Sequence, residues 1–286
     1  MSTLLRTGNN LMKVGNNIFA SKNNVTASLN ALVTNLGASA FGLDIDVANN
    51  KYYCGDGNGN VKIFNYTTNE LIATITGFTS GVGGIKLDIP NNRYYVGSWI
   101  MNATGTVRIM KISDNTQIAV VPSTIFSNSP VGFDVDSVNN RYYVACGNVN
   151  ALNGTSLHVL NATTNELVTT VSGFVNPMAI ALDISNNQYY VGCAGSIKIM
   201  NYADNTLIKT ISSTPGYNFS IILDPINDRY YVSTYYAIKI YQKSTDTLIS
   251  TITLISRPFS IAYQNNNLII IDAISHIVYR LTYLLS

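Results

Sequence analysis

The chain has 286 residues, 47% of them hydrophobic and only 11% charged, with a formal net charge of +2. That balance excludes a disordered chain and a strongly basic nucleic-acid binder, and the length suits one domain, residues 1–286, with a large core. No apolar run reaches the roughly 18 residues of a membrane span, and residues 1–6 lack the regions of a signal peptide, so a cytoplasmic monomer is expected.

Taken from the start, residues 11–14, the turn Gly15-Asn16-Asn17 and residues 18–20 read as strand, turn and strand. Residues 25–29 and 32–36, around Asn30-Ala31, would complete a four-stranded unit. Residues 3–6 are left over as a spare strand.

From residue 41 the chain repeats itself. Asn49-Asn50-Lys51-Tyr52-Tyr53-Cys54 returns as Asn91-Asn92-Arg93-Tyr94-Tyr95-Val96 and Asn139-Asn140-Arg141-Tyr142-Tyr143-Val144. Asn186-Asn187-Gln188-Tyr189-Tyr190-Val191 and Asn227-Asp228-Arg229-Tyr230-Tyr231-Val232 follow. The spacing of 41 to 48 residues marks a repeat architecture. Asn-Asn is turn chemistry, because Asn tolerates the left-handed region. Tyr-Tyr-Val is strand chemistry, and adjacent aromatics on a strand point to opposite faces, so both faces are covered. Ahead of each turn an apolar strand closes on a carboxylate: Asp46, Asp88, Asp136, Asp183 and Asp224. An acid that every repeat needs is read as a turn-former.

After each Tyr pair the pattern alternates, as in Val61-Lys62-Ile63 or Ile238-Lys239-Ile240, which is a half-exposed strand. A polar turn and a fourth strand follow. Inner strands apolar on both faces and outer strands progressively wetter describe the blade of a β-propeller. Five well-marked blades are predicted over 41–79, 84–127, 131–174, 178–213 and 219–255, with a degenerate unit over 260–285. Counting residues 11–36 as a blade gives an all-β, single-domain propeller of seven four-stranded blades, with the N-terminal strand 3–6 closing the last one. Six blades is the alternative.

The unit Leu87-Asp88-Ile89-Pro90-Asn91-Asn92-Arg93-Tyr94-Tyr95-Val96-Gly97 resembles the YVTN and NHL type of β-propeller repeat, which also puts a strand ending in Asp, a turn and Tyr-Val in each blade. It departs from that pattern in using Tyr-Tyr and in replacing Asp-Gly by Asn-Asn. The resemblance spans five units strongly and two weakly. It implies a propeller; such propellers bind proteins, and some relatives are enzymes.

Several constellations bear on chemistry. Cys54, Cys146 and Cys193 are an odd count, read as small buried side chains. His158 and His276 are placed on third strands toward the rim. Gly55-Asp56-Gly57-Asn58-Gly59-Asn60 looks calcium-like, but the twelfth position of the EF-hand pattern is Thr67, so it is read as a hairpin. Asp44 and Asp134 lie two residues before the repeat Asp on innermost strands, where another blade has Lys86. These three are the candidate channel ligands.

Two connections between second and third strands are long, 97–105 and 146–154. The first carries Trp99 beside Ile100 and Met101, and the second carries Val149 and Leu152. Long loops on a rigid scaffold gather binding residues. The reading is a non-enzymatic scaffold for protein–protein interaction whose partner docks on these five residues. It involves no nucleic acid, no metal and no cofactor. The alternative is a propeller hydrolase or lactonase with a metal or small ligand in the channel.

Overall fold

A computed structural model describes residues 4–5, 11–14, 17–22, 25–33 and 35–285, apart from 79, 101–102, 149–153, 255–256 and 265–266; of residues up to 28, of 213–215 and of 283–285 only the backbone is described. Each Tyr-Tyr repeat is one antiparallel sheet. The first blade runs Ala40–Asp46, Lys51–Asp56, Val61–Asn65 and Leu71–Ile75 from the axis outward. The second to fifth begin with the inner strands Gly81–Asp88, Pro130–Asp136, Ala179–Asp183 and Ser220–Asp224. In the fourth blade the 14-residue strand Gln188–Asn201 carries both the Tyr-Tyr-Val and the Ile-Lys-Ile segments, with Gly195 at φ 73 between them. The sixth blade begins with Pro258–Gln264, and its inner strand packs against those of the fifth and first blades, so the ring closes at six.

The count of seven is therefore corrected to six. The described residues ahead of the first blade do not form a blade of their own. Four N-terminal strands, β1 (Leu4–Leu5), β2 (Leu11–Val14), β3 (Asn17–Lys22) and β4 (Val25–Val33), continue the sheet of the last blade, giving it seven strands. The closing strand is β4, which pairs with Ile277–Leu285 from Leu285↔Val25 to Val278↔Val33. Of the spare strand 3–6, the described part, Leu4–Leu5, instead pairs with β2 at the far edge. Asn30-Ala31, expected as a turn, lies within β4, whose register shifts by a bulge opposite Val278 and Tyr279. Closure removes the open edge of Ile277–Leu285, and that long-range gain overrides a local turn signal. Leu29 seats β4 in the core beside Leu268 and Leu281.

The ten repeat tyrosines, Tyr52/Tyr53 through Tyr230/Tyr231, are each at most 1% exposed. The second of one pair meets the first of the next blade: Tyr53–Tyr94 at 5.4 Å, Tyr95–Tyr142 at 4.4 Å, Tyr143–Tyr189 at 5.9 Å and Tyr190–Tyr230 at 5.0 Å between ring centroids. Tyr231 meets Tyr263 of the sixth blade at 5.4 Å. Each Tyr pair thus fastens its blade to both neighbours.

Asn has an equally regular use. Asn50, Asn92, Asn140 and Asn187 in the turns after the inner strands have φ between 53° and 56°. Asn69, Asn115, Asn165 and Asn205, in the turns before the outer strands, have φ between 59° and 61°. Only Gly and Asn or Asp enter this region readily, and Asp228 and Asp246 fill the two positions in the fifth blade. The repeat acids are buried turn-formers, as read. Asn49 donates to Asp46, and Asn91 Nδ2 to Asp88 at 3.0 Å. Several also hold the following blade: Ser137 Oγ donates to Asp88 at 2.6 Å, Tyr202 to Asp136, and Lys243 to Asp183. No helix of the described residues is long and apolar enough to cross a membrane.

Candidate functional site

The six inner strands surround an axial cavity of about 200 Å3. Two residues before each repeat acid stand Asp44, Lys86, Asp134, Ala181 and Ile222, with Ala262 in the sixth blade. The three charged ones, proposed from the sequence, converge. Lys86 Nζ is 3.1 Å from Asp134 Oδ1 and 3.8 Å from Asp44 Oδ2. Side-chain exposures of 25% for Lys86, 19% for Asp44 and 17% for Asp134 make this a partly buried, three-blade ion pair. The acids are also held by backbone. Asp44 accepts from Ile45 N at 2.9 Å and from Leu87 N of the next blade at 2.8 Å. Asp134 accepts from Val135 N at 2.9 Å and from Leu182 N of the next blade at 2.7 Å.

Burial alone would lower the Lys86 ammonium; the charges of Asp134 and Asp44 and the hydrogen bond to Asp134 outweigh it and hold it above its ordinary value. The ammonium occupies the place between the two carboxylates where a bound cation would sit. The other half of this level, Ala181, Ile222 and Ala262, is apolar. Two residues nearer the mouth stand Gly42, Gly84, Gly132, Ala179, Ser220 and Ser260. Small size there is required, since a Cβ on Gly84 would lie 2.3 Å from the Val131 carbonyl oxygen.

The mouth on the side of the long loops is closed by side chains five before the repeat acid, or its counterpart Gln264 in the sixth blade. They are Phe41, Val131, Met178, Phe219 and Phe259, packed as one cluster. Phe41 and Phe219 flank Phe259 at 5.0 and 4.7 Å. The second blade has Gly83 at this position, and Trp99 fills the gap, its ring 4.8 Å from Phe41. A Cβ on Gly83 would come within 2.9 Å of the Trp99 Cβ. Trp99 is the last residue of the second strand, Arg93–Trp99, paired with Gly81, and is not in the insertion that the sequence reading gave it. Tyr235 stands at the same repeat position in the fifth blade and joins the cluster with Tyr217.

Above this plug lies an open depression of about 740 Å3 lined by Trp99, Phe41, Asn58, Arg257, Ile274 and His276 with residues 37–39. His276 is not on a third strand as expected. It ends the turn before Ile277–Leu285, at φ 57, with Nε2 3.3 Å from Ser39 Oγ. Arg257 stacks its guanidinium carbon 4.7 Å from the Tyr235 ring centroid. Of the five residues proposed for docking, Trp99 lines this depression and Ile100 is half-buried beside it. Ile100 is tied by its N–H to Ser129 Oγ at 3.1 Å. Met101, Val149 and Leu152 lie outside the described residues. Phe41, Arg257 and His276 were missed. The aromatic ring was open to discovery by counting five back from each acid.

The remaining candidates are structural. Asp56 of the calcium-like loop accepts from Asn58 N at 3.0 Å and Asn60 N at 2.9 Å, and faces Lys62 at 3.7 Å. All three cysteines are buried and free. Burial pushes their thiols up, that of Cys193 to about 12, so none is a thiolate at neutral pH. His158 is buried among Ser127, Ser156 and Thr170. Among the described residues no group of three or more His, Cys, Asp and Glu is placed to hold a metal ion.

The opposite face differs in character. There each of the first five blades exposes an aliphatic residue in the turn after its inner strand: Val47, Ile89, Val138, Ile184 and Ile226, with Val138 and Ile226 both 92% exposed.

No family model matches the chain, and no curated protein matches it.

Proposed function

We propose that this chain is a non-enzymatic β-propeller scaffold of the YVTN/NHL type that binds a protein partner over the mouth closed by the aromatic plug. The observation that carries this reading is the placement of Trp99: fixed by strand pairing, half-buried, and walling an open depression assembled from three blades. Trp is among the residues that most often dominate interface energetics. What weighs against a channel hydrolase is a presence: the Lys86 ammonium lies between the two acids that such an enzyme would use.

The test pairs stability with capture. Trp99→Ala is compared with the parent chain in thermal melting and in partner capture from the native host. Lost capture with a small melting shift supports the reading, because Trp99 is only half-buried and stands at the very end of its strand, so the ring does not depend on it. Retained capture with normal stability overturns it and moves the docking surface to the face of Val138 and Ile226.

A further inference from the structure

The depression beside Trp99 has an uneven charge. Arg257 is its cation, and no described carboxylate forms an ion pair with it. Its Nε is enclosed and makes no hydrogen bond. The nearest acids in sequence to the lining residues are spent elsewhere. Asp56 is 2% exposed and faces Lys62, and Asp272 is 3% exposed and accepts from Ile274 N and Ser275 N. The same depression has an apolar wall, Trp99 against Phe41. With Nε enclosed, the guanidinium over Tyr235 has its two Nη groups left as donors for a planar oxyanion.

We infer that this depression takes the free C-terminus of the partner polypeptide, with the terminal carboxylate on Arg257 and an apolar or aromatic last side chain against Trp99 and Phe41. This deepens the scaffold reading and rests on it for the identity of the occupant as a protein. A chain end is favoured over an acidic side chain because it alone carries the carboxylate and a large apolar group on one Cα. An Asp or Glu side chain brings the charge without the ring. Capture of a terminal carboxylate by a cation and backbone edges is a recurring mode of peptide recognition.

Trp99 is the single tryptophan of the chain, so its fluorescence reports the depression directly. The probes are an N-acetylated peptide of three alanines ending in phenylalanine as the free acid, and the same peptide as its amide. The free acid is expected to shift the emission saturably and to bind about tenfold or more tightly than the amide, the worth of one charge-assisted contact. Arg257→Gln should bring the acid down to the amide's affinity, and Arg257→Lys should keep part of the difference. Equal binding of acid and amide to the parent chain, or no response to either, overturns the inference without recourse to any variant. The two readings also fail separately. Partner capture that needs Trp99 but is untouched by excess free-acid peptide and by Arg257→Gln leaves the scaffold standing and removes the chain-end contact. Binding of the acid peptide with capture independent of Trp99 does the reverse.

Discussion

The rings of Tyr95 and Tyr142 stand 4.4 Å apart across the seam between the second and third blades. Neither ring reaches solvent, and the same meeting recurs at the next seams, so the tyrosine pair acts as the fastener between blades. Truncating one to alanine removes a large buried aromatic from a seam that cannot collapse without moving a whole blade. Tyr142→Ala is expected to cost about 3–5 kcal/mol in urea unfolding. Tyr142→Phe keeps the ring and loses only the hydroxyl's bond to Asn165 Oδ1, about 1 kcal/mol. Equal costs for the two variants would mean that the hydroxyl, and not the ring, holds the seam.

Ring closure can be located by deletion. Removing residues 1–10 takes away β1, which pairs only with the outlying β2, and should leave the melting temperature unchanged. Removing residues 1–33 takes away β4 and Leu29, bares the edge of Ile277–Leu285 and uncovers the core around Leu281. That chain should melt many degrees lower and with less cooperativity. A large effect of the shorter deletion would assign closure to β1.

His158 is 4% exposed, and burial lowers its imidazole to about 4 from an ordinary 6.5. The folded protein thus holds it neutral while the unfolded chain protonates it below about 6.5. Its contribution is present in full above that pH and is lost as pH falls toward 4, by about 3 kcal/mol. Unfolding free energies at pH 7 and pH 4.5 should differ more for the parent chain than for His158→Gln. Matching pH slopes for the two would remove His158 from the acid sensitivity.

Lys86 should matter chiefly through what it neutralises. Lys86→Met leaves Asp44 and Asp134 facing each other across the channel without a cation, and an expected loss of about 1–3 kcal/mol follows, below the range for fully buried pairs because all three side chains keep some water. Adding Asp44→Asn and Asp134→Asn should recover most of it. Failure of the triple variant to recover would show that the carboxylates serve mainly as backbone acceptors for Leu87 and Leu182.

The blade itself was legible because each layer of it has a chemical signature in consecutive residues: acid, Asn turn, tyrosine pair, alternation. The channel triad was legible for the same reason, since a fixed offset from the repeat acid selects Asp44, Lys86 and Asp134. The blade count was not. Gly15-Asn16-Asn17 and Asn30-Ala31 carry turn chemistry, and whether a strand opens its own blade or completes another depends on which edge is bare hundreds of residues away. The depression escaped for a related reason: Phe41, Trp99, Arg257 and His276 come from three blades and are neighbours only once the ring has closed.

That closure sets an order in time. β4 is made before every blade of the ring and its partner Ile277–Leu285 after the first five, with roughly 240 residues between them. At about 5–20 residues per second, the first strand waits some 10–50 s for its mate. Five blades are synthesised in sequence during that interval, each able to lean on the one before, while the ring stays open at a single seam. The growing chain therefore has its greatest exposure to wrong partners at the two unpaired edges of that seam, and a ribosome slowed just before residue 277 should increase aggregation more than one slowed in the middle of the ring.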